Sequence, residues 1–268
     1  MRTADGSIVL GLHRSSHARD LLEAAADLGI THLDTASNYL RHRSHEVLKT
    51  TAGDLLPKFS VSTKVGYFPD GHSLDPARLR SAVEQTLKDL GREPDLVFLH
   101  NPEHSASGAE TLAKACAALA DAARVGLCRS WGVSTWDPRP LMDFDVPRPD
   151  VLMVRAGLLV GGDVLEATEV LATQWRPSQL WGMSPFGGST TQDVWKRFDP
   201  GVFLRRPATP TVTQAAFRSS YDLPQVDAVA VGTDNVDHLR ELTEALAYEV
   251  DDKMVQEYRQ LLKARQLP

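Results

Sequence analysis

Short apolar runs recur along the chain, separated by longer segments in which apolar positions have helical spacing. Eight of these runs are four or so residues long and bounded by polar or turn residues, as is typical of buried strands. The runs cover residues 8–10, 31–33, 59–63, 95–99, 131–133, 151–154, 180–183 and 228–231. This pattern predicts eight strands in strand–helix alternation.

The segments between the strands predict amphipathic helices. One apolar stripe covers residues 21–28 and ends at Gly29, and another covers residues 79–90 and ends at Gly91; a glycine in this place is typical of a helix C-terminus. Eight units in 268 residues give about 33 residues per unit, close to the ~30 of a βαβ unit. We therefore predict an α/β fold, a (β/α)8 TIM barrel forming one domain over residues 1–268.

A doubly wound open sheet is the alternative architecture. It would place a glycine-rich fingerprint after the first strand, and residues 11–14, Gly-Leu-His-Arg, do not form one. Residues 163–175 are compatible with a helix. Residues 189–206 predict an irregular loop over the barrel mouth, and the prolines within residues 138–149 predict a short fifth helix and its return loop.

Charge and cysteine usage exclude several classes of function. The chain has 29 Lys and Arg against 35 Asp and Glu, a net charge of −6, without a basic cluster, so we expect neither a nucleic-acid nor a membrane partner. Cys116 and Cys128 lack the spacing of a metal site or redox motif, which favours a cytoplasmic location. The first apolar run is too short for a signal peptide, and no run approaches membrane-spanning length.

Titratable residues stand at the ends of three consecutive predicted strands. These are Asp34, Lys64 and His100, with Tyr39 five residues after Asp34. Each alone fits an ordinary structural role, but strand C-termini of a barrel meet at one mouth, where active sites lie. A nearby ammonium stabilises a phenolate, a carboxylate holds that ammonium charged, and a histidine can donate to a developing oxyanion. The set predicts proton transfer to a carbonyl oxygen.

Nearly the whole chain resembles the aldo-keto reductases, because several sequence motifs of that family occur in it in the same order. The matching segments are Leu33-Asp34-Thr35-Ala36 with Tyr39, Ser62-Thr63-Lys64-Val65-Gly66, Phe98-Leu99-His100-Asn101-Pro102, Trp131-Gly132-Val133-Ser134, Met183-Ser184-Pro185-Phe186-Gly187-Gly188 and Val231-Gly232-Thr233. The lysine segment and residues 80–91 are similar to the short-loop branch of aldose dehydrogenases and bacterial reductases. The resemblance implies a TIM barrel that moves hydride between a nicotinamide and a small, sugar-like or natural-product carbonyl or alcohol.

The resemblance also implies roles for individual residues. Tyr39 would be the general acid or base, Lys64 and Asp34 would tune it, and His100 would orient the carbonyl. Tyr67 and Trp136 would wall the substrate pocket, and a half-exposed rim position is their alternative role. The implied cofactor-binding residues form three groups. Ser134 and Thr135 would bind the carboxamide, and Ser184, Pro185, Phe186, Gly187 and Gly188 the pyrophosphate. The third group follows the eighth predicted strand: Gly232, Thr233, Asp234, Asn235 and His238.

Three positions depart from the family pattern. Residues 153–157, Met-Val-Arg-Ala-Gly, lack the usual Gln, aromatic and Asn, which loosens cofactor packing unless Trp181 supplies a ring. Asp234 stands where NADPH-specific members have Arg or Lys; a carboxylate repels a 2′-phosphate and can accept from ribose hydroxyls. His238 and Arg240 are compensating candidates, so we expect NADP(H) to be preferred, with NAD(H) as the alternative. Leu40 replaces a glycine and restricts the backbone.

Other signals favour no additional chemistry. Residues 42–46, His-Arg-Ser-His-Glu, match neither of the zinc-binding motifs H-E-x-x-H and H-x-x-E-H. They predict an exposed helix start, so no metal is expected. Residues 182–186 lack the second glycine of a nucleophile elbow. A nucleotide-sensing or partner-binding module is the main functional alternative, motivated by Met153 and Ala156. Lys64 as a Schiff-base amine is a weaker one, because Asp34 would keep that amine charged. The pattern leaves the substrate and the oligomeric state open.

Overall fold

The eight predicted strands form a closed parallel barrel. The computed structural model describes residues 6–105, 108–206 and 209–264. Each strand pairs with its neighbours in sequence, and the last closes on the first. The strands are β1 (Ser7–Gly11), β2 (His32–Asp34), β3 (Ser60–Val65), β4 (Leu96–His100), β5 (Ser130–Ser134), β6 (Val151–Arg155), β7 (Gln179–Met183) and β8 (Ala228–Val231). The prediction of a (β/α)8 TIM barrel is confirmed.

Helices surround this barrel. They are α1 (Arg19–Asp27), α2 (Tyr39–His42), α3 (Ser44–Ala52), α4 (Pro76–Leu90), α5 (Ala109–Arg124), α6 (Gly162–Trp175), α7 (Val194–Arg197), α8 (Val212–Ser219), α9 (Val236–Ala245) and α10 (Asp252–Ala264). The predicted α4 begins at an Asp75 cap, whose carboxylate accepts from Arg78 N, and ends at Gly91 with φ 72°. Both signals were readable in the sequence, because glycine adopts this left-handed conformation at little cost.

Three connections differ from their predictions. A two-stranded hairpin, Tyr67–Phe68 paired with Gly71–His72, follows β3 and carries too few residues to show periodicity. Residues 189–206 are not irregular throughout: they contain α7 and a one-turn helix, Pro200–Phe203, and Trp195 packs outside the barrel with α6 and α8. The expected short fifth helix is a single turn, Arg139–Leu141, with Pro138 before it and Pro140 inside it.

Side-chain alternation divides the core into two layers. Val9, Phe98, Met153 and Trp181 fill the barrel interior, and leucines and valines of the opposite strand faces pack against the helices. Because side chains along a strand alternate, the inward face that carries Phe98 reaches the mouth at His100. Within the described ranges, no helix has the length and hydropathy required to cross a membrane.

Candidate active site

The predicted catalytic residues converge at the C-terminal mouth of the barrel. Asp34 and His100 are the last residues of β2 and β4, and Lys64 is the last but one of β3. Together with Tyr39 they line a cavity of about 620 Å³. The barrel therefore brings together side chains that lie far apart in the sequence.

Lys64 and Asp34 form a buried ion pair. Lys64 Nζ donates to Asp34 Oδ2 and, over 2.9 Å, to the carbonyl oxygen of Thr35. The other carboxylate oxygen accepts from Ser62 Oγ at 2.8 Å. Burial alone would lower the pKa of Lys64, but the charge of Asp34, followed by Tyr39, raises it above its usual value. The amine is therefore charged at neutral pH, the wrong protonation state for a Schiff-base nucleophile.

Tyr39 holds its proton beside that charge. Lys64 Nζ lies 3.3 Å from Tyr39 Oη and 5.0 Å from the ring centroid. Burial raises the pKa of Tyr39, and Lys64 opposes that shift without reversing it. The charge of Lys64 was expected to dominate, and in this site desolvation outweighs it because the phenolate would lose its hydration. The phenol is neutral and ready to donate.

His100 is a neutral imidazole facing the cavity. Burial, and then the charge of Lys64, lower the pKa of His100 well below its usual value. Its ring centroid lies 6.3 Å from that of Tyr39, and its backbone carbonyl lies 2.7 Å from His72 Nε2. Within the described ranges its buried Nδ1 has no hydrogen-bond partner. A neutral histidine can donate one hydrogen bond without adding charge to the site.

Three residues after β1 also line the cavity and were not predicted. His13, Arg14 and Ser15 belong to its wall, and the His13 ring meets the Tyr39 ring edge-on at 4.9 Å. The rule that catalytic groups follow strand ends applies equally to Gly11, the end of β1, and would have found all three residues. His13 therefore packs directly on the proposed proton donor.

Tyr67 and Trp136 both contribute to the lining of the cavity, and Trp136 is exposed at its opening. Tyr67 Oη accepts from Asn101 Nδ2 at 3.3 Å. The Trp136 backbone N–H donates to Glu103 at 2.8 Å, and the Arg155 guanidinium lies 5.2 Å from the Trp136 ring centroid. These contacts hold both aromatic side chains at the opening.

The predicted cofactor residues divide into two groups. One group lines the cavity: Ser184, Pro185, Phe186, Gly188, Gly232, Thr233 and Asp234. The structure does not bring the second group to the cavity wall: Ser134, Thr135, Gly187, Asn235 and His238. Thr135 Oγ1 donates to Glu103 at 2.9 Å, Ser134 Oγ lies 3.9 Å from Met183 Sδ, and Asn235 caps α9. Thr135 therefore positions the Trp136 loop.

A turn that contains two glycines follows β7 at the cavity wall. Ser184, Gly187 and Gly188 have positive φ angles of 58°, 66° and 112°, and the Gly187 N–H donates to the Ser184 carbonyl oxygen at 2.9 Å. At Gly232 a Cβ would lie 3.0 Å from Gly11 O, so glycine permits the close approach of β8 and β1.

The expected replacement for the missing aromatic is wrong. Trp181 lies inside the barrel, where its ring packs against Phe98 at 5.8 Å and its Nε1 donates to Gln179. It is an interior residue two positions below the mouth. Met153 and Met183 line the cavity in this region instead. A thioether can pack on an aromatic ring, so these methionines form an apolar floor.

Asp234 is tied to the loop after β1. Its carboxylate accepts from Ser15 Oγ at 2.6 Å and from the Ser16 backbone N–H at 3.1 Å. The sequence suggested a carboxylate free to accept from ribose hydroxyls, whereas two of its acceptor positions are already used. Its negative charge still lies on the cavity wall.

The segment after Tyr39 differs from its predicted exposure. Ser44 and His45 are buried, and His45 Nε2 lies 2.7 Å from Thr63 Oγ1. Burial lowers the pKa of His45 to about 4. The described part of the chain contains no cluster of metal-binding side chains. Leu40 has a φ of 48°, the left-handed conformation that glycine adopts at least cost.

Comparison with known sequences identifies the family. The model of the "Aldo/keto reductase family" matches residues 7–193. L-glyceraldehyde 3-phosphate reductase of Escherichia coli (strain K12) is 30% identical to this chain over 131 residues, which are 45% of this chain and 37% of that protein. The chain thus matches little more than a third of this relative.

Solved structures agree on the architecture. An aldo-keto reductase from Bacillus halodurans, in its holo form, superimposes with a TM-score of 0.73 at 16% identity, covering 96% of this chain and 91% of that one. An aldo/keto reductase from Klebsiella pneumoniae in complex with NADP and acetate gives a TM-score of 0.72 at 19% identity, with the same coverage. Because the family model also matches most of the chain, the chain belongs to the aldo/keto reductase family.

Proposed function

We propose that this protein is an NADP(H)-dependent oxidoreductase that interconverts a small carbonyl compound and its alcohol. The observation that carries the proposal is the chain of contacts from Asp34 through Lys64 to Tyr39, facing His100 across one cavity. A charged lysine, a neutral phenol and a neutral imidazole at one wall form an acid site for a carbonyl oxygen.

The residues of the chain divide the work of carbonyl reduction. The bound nicotinamide supplies the hydride. Tyr39 Oη donates its proton to the carbonyl oxygen, and His100 orients that oxygen by a hydrogen bond. Lys64 stabilises the phenolate left on Tyr39, while Asp34 holds Lys64 charged and in place. In the oxidative direction, the same phenolate accepts the proton of the alcohol.

The proposed cofactor site extends from this acid site along β7 and β8. Residues 184–188 would hold the pyrophosphate, and residues 232–238 the adenosine end. Asp234 disfavours a 2′-phosphate, Arg240 is paired with Asp237 at 2.8 Å, and His238 lies outside the cavity lining. NADP(H) remains our preference because the related Klebsiella pneumoniae structure contains NADP.

The proposed substrate is a small aldehyde or ketone. The relative from Escherichia coli is named for a phosphorylated aldehyde, and Arg14 on the cavity wall makes such anionic aldehydes worth testing beside sugars and aromatic aldehydes. Both cysteines are free and buried, which supports the proposed cytoplasmic location.

Tyr39→Phe tests the mechanism. We expect loss of turnover by more than about a thousandfold, with cofactor binding retained, because only the proton donor is removed. Turnover with NADPH and an aldehyde panel measures the first effect, and the thermal shift caused by NADPH or NADH measures the second. Full activity in this variant contradicts the proposal.

A nucleotide-sensing module is the second candidate function. The departures at Met153 and Ala156, in the segment where the family has an amide and an aromatic ring, favour it. The two functions separate in one experiment: a sensor binds NADPH or NADH with a clear thermal shift, yet no carbonyl or alcohol of the panel changes the redox state of the cofactor.

A further inference from the structure

The loop that carries Tyr39 is closed at its base by two buried hydroxyls. Thr35 Oγ1 and Ser44 Oγ lie 2.5 Å apart, and neither side chain is exposed. Residues 36–43 lie between them, with Tyr39 near the middle of that segment. A single hydroxyl–hydroxyl hydrogen bond therefore joins the two ends of the loop.

His17, from the loop after β1, completes this base. Its Nε2 lies 2.6 Å from Ser44 Oγ, and the side chain has no exposed surface. Its Nδ1 is buried, without a hydrogen-bond partner in the part of the chain that the structure describes. An unpaired buried N–H is rarer than an unpaired acceptor, which favours the proton on Nε2. His17 then donates to Ser44, and Ser44 donates to Thr35.

The loop needs such a fixed base because its backbone is strained. Leu40, Arg41 and His42 have φ angles of 48°, 56° and 66°. Three successive non-glycine residues in the left-handed region are unfavourable, and such a stretch persists only where its surroundings hold it. The contacts of His17, Ser44 and Thr35 supply that restraint at both ends.

The same contacts reach the catalytic lysine and the far wall of the cavity. The Thr35 carbonyl oxygen accepts from Lys64 Nζ at 2.9 Å. On the other side, the His17 backbone N–H donates to Ser15 Oγ at 3.1 Å, and Ser15 Oγ donates to Asp234 at 2.6 Å. His17 thus connects the loop after β1 with the acid site.

We propose that His17 is a positioning residue: through Ser44 it closes the base of the Tyr39 loop and holds Tyr39 Oη within reach of Lys64. The inference rests on the proposed function of Tyr39. His17 touches neither substrate nor cofactor in this proposal, and its effect on the reaction is geometric, since small displacements of a proton donor cost large factors in rate.

The direct test follows the phenol of Tyr39 by NMR of protein labelled with ¹³C at the tyrosine ring carbon that bears the hydroxyl. The chain has five tyrosines, and the resonance missing in Tyr39→Phe is that of Tyr39. In His17→Leu and Ser44→Ala we expect this phenol to titrate closer to the ordinary tyrosine value of ~10 than in the wild type, because an opened loop exposes it to water. Ser44→Thr keeps the hydroxyl and His17→Gln keeps an N–H donor, so both variants should show the wild-type titration of Tyr39.

His45→Leu is the matched control. Like His17, His45 is a buried histidine, and it follows Ser44 in α3, but it bonds Thr63 rather than the base of the loop. If His17 only stabilises the fold, His17→Leu and His45→Leu will leave the Tyr39 resonance equally unchanged, and the inference is overturned. Should His17→Leu fail to fold, Ser44→Ala tests the same link with a smaller change.

Kinetics separate this inference from the function on which it rests. With NADPH and an aldehyde that the wild type reduces, His17→Leu should lower kcat about tenfold or more at unchanged KM. Full turnover of Tyr39→Phe refutes the proposed function, and the NMR experiment still decides the role of His17. If Tyr39→Phe loses turnover while His17→Leu keeps the wild-type kcat and the wild-type titration of Tyr39, only the inference about His17 is refuted.

Discussion

The two sides of the barrel mouth are built differently. Around β2 and β3, polar contacts fix the proposed acid site: Lys64 has three partners, Asp34 has two, and Tyr39 is packed between His13 and Lys64. Around β6 and β7, the cavity floor consists of Met153 and Met183, whose thioethers form at most weak hydrogen bonds.

This difference fits the tasks that the proposed function gives to the two sides. Proton transfer requires fixed donors, known charges and the exclusion of water, and Asp34 and Lys64 are buried and paired with each other. Holding a flat ring requires mainly a shaped apolar surface, which different side chains can provide. We call the residues around β2 to β4 the polar side and Met153 and Met183 the methionine side. Substitutions on the polar side should therefore cost far more activity and stability than substitutions on the methionine side.

The largest effect is expected from Lys64→Met. Turnover should fall by about a thousandfold or more, and the free energy of unfolding by about 3–5 kcal/mol, because Asp34 is left as an unpaired buried charge. Urea denaturation measures the second effect. In the double variant Asp34→Asn/Lys64→Met, most of the stability should return while turnover stays lost. If stability does not return, the cost lies in packing rather than in charge.

The second-largest effect is expected from acid, which should lower the free energy of unfolding through a buried histidine behind the polar side. The pKa of His45 is lowered from 6.5 to about 4 by burial, so between these values the unfolded chain binds a proton that the folded chain does not. The stability that neutral His45 contributes is therefore complete above about pH 6.5 and falls by about 3 kcal/mol as the pH drops to 4. Urea denaturation across this range measures the slope. His45→Leu should flatten it, and an unchanged slope in that variant contradicts the assignment.

The methionine side should respond with a smaller gain. Met183→Tyr places an aromatic ring at the cavity floor, where stacking on the nicotinamide adds about 0.5–1.5 kcal/mol, a several-fold gain in cofactor affinity. Quenching of tryptophan fluorescence by NADPH measures that affinity. Val170→Tyr on the exposed surface of α6 is the control and should change nothing. Unchanged or weaker NADPH binding in Met183→Tyr would show that the floor does not contact the ring.

The polar side was also the more predictable one. Strand positions followed from short apolar runs, and Asp34, Lys64 and His100 followed from the rule that functional groups stand at strand ends. The burial of Ser44 and His45 could not be predicted in the same way, because polar residues at a helix start normally face water. Their partners, His17 and Thr63, come from other elements, and a single sequence does not show such long-range pairing. The hairpin of residues 67–72 is too short to have a period.

The smallest effect is expected at Leu40, and its sign tests the strained loop. Leu40 is largely exposed, so removing its side chain costs little, and the comparison that matters is Leu40→Gly against Leu40→Ala. In ordinary helical or extended backbone, glycine is the less stable of the two by about 0.5–1 kcal/mol. At a left-handed position the order reverses, because alanine retains a strain of about 1–2 kcal/mol that glycine does not have. Leu40→Gly should therefore unfold at higher urea concentration than Leu40→Ala. The opposite order would mean that Tyr39 stands on an unstrained loop and needs no fixed base.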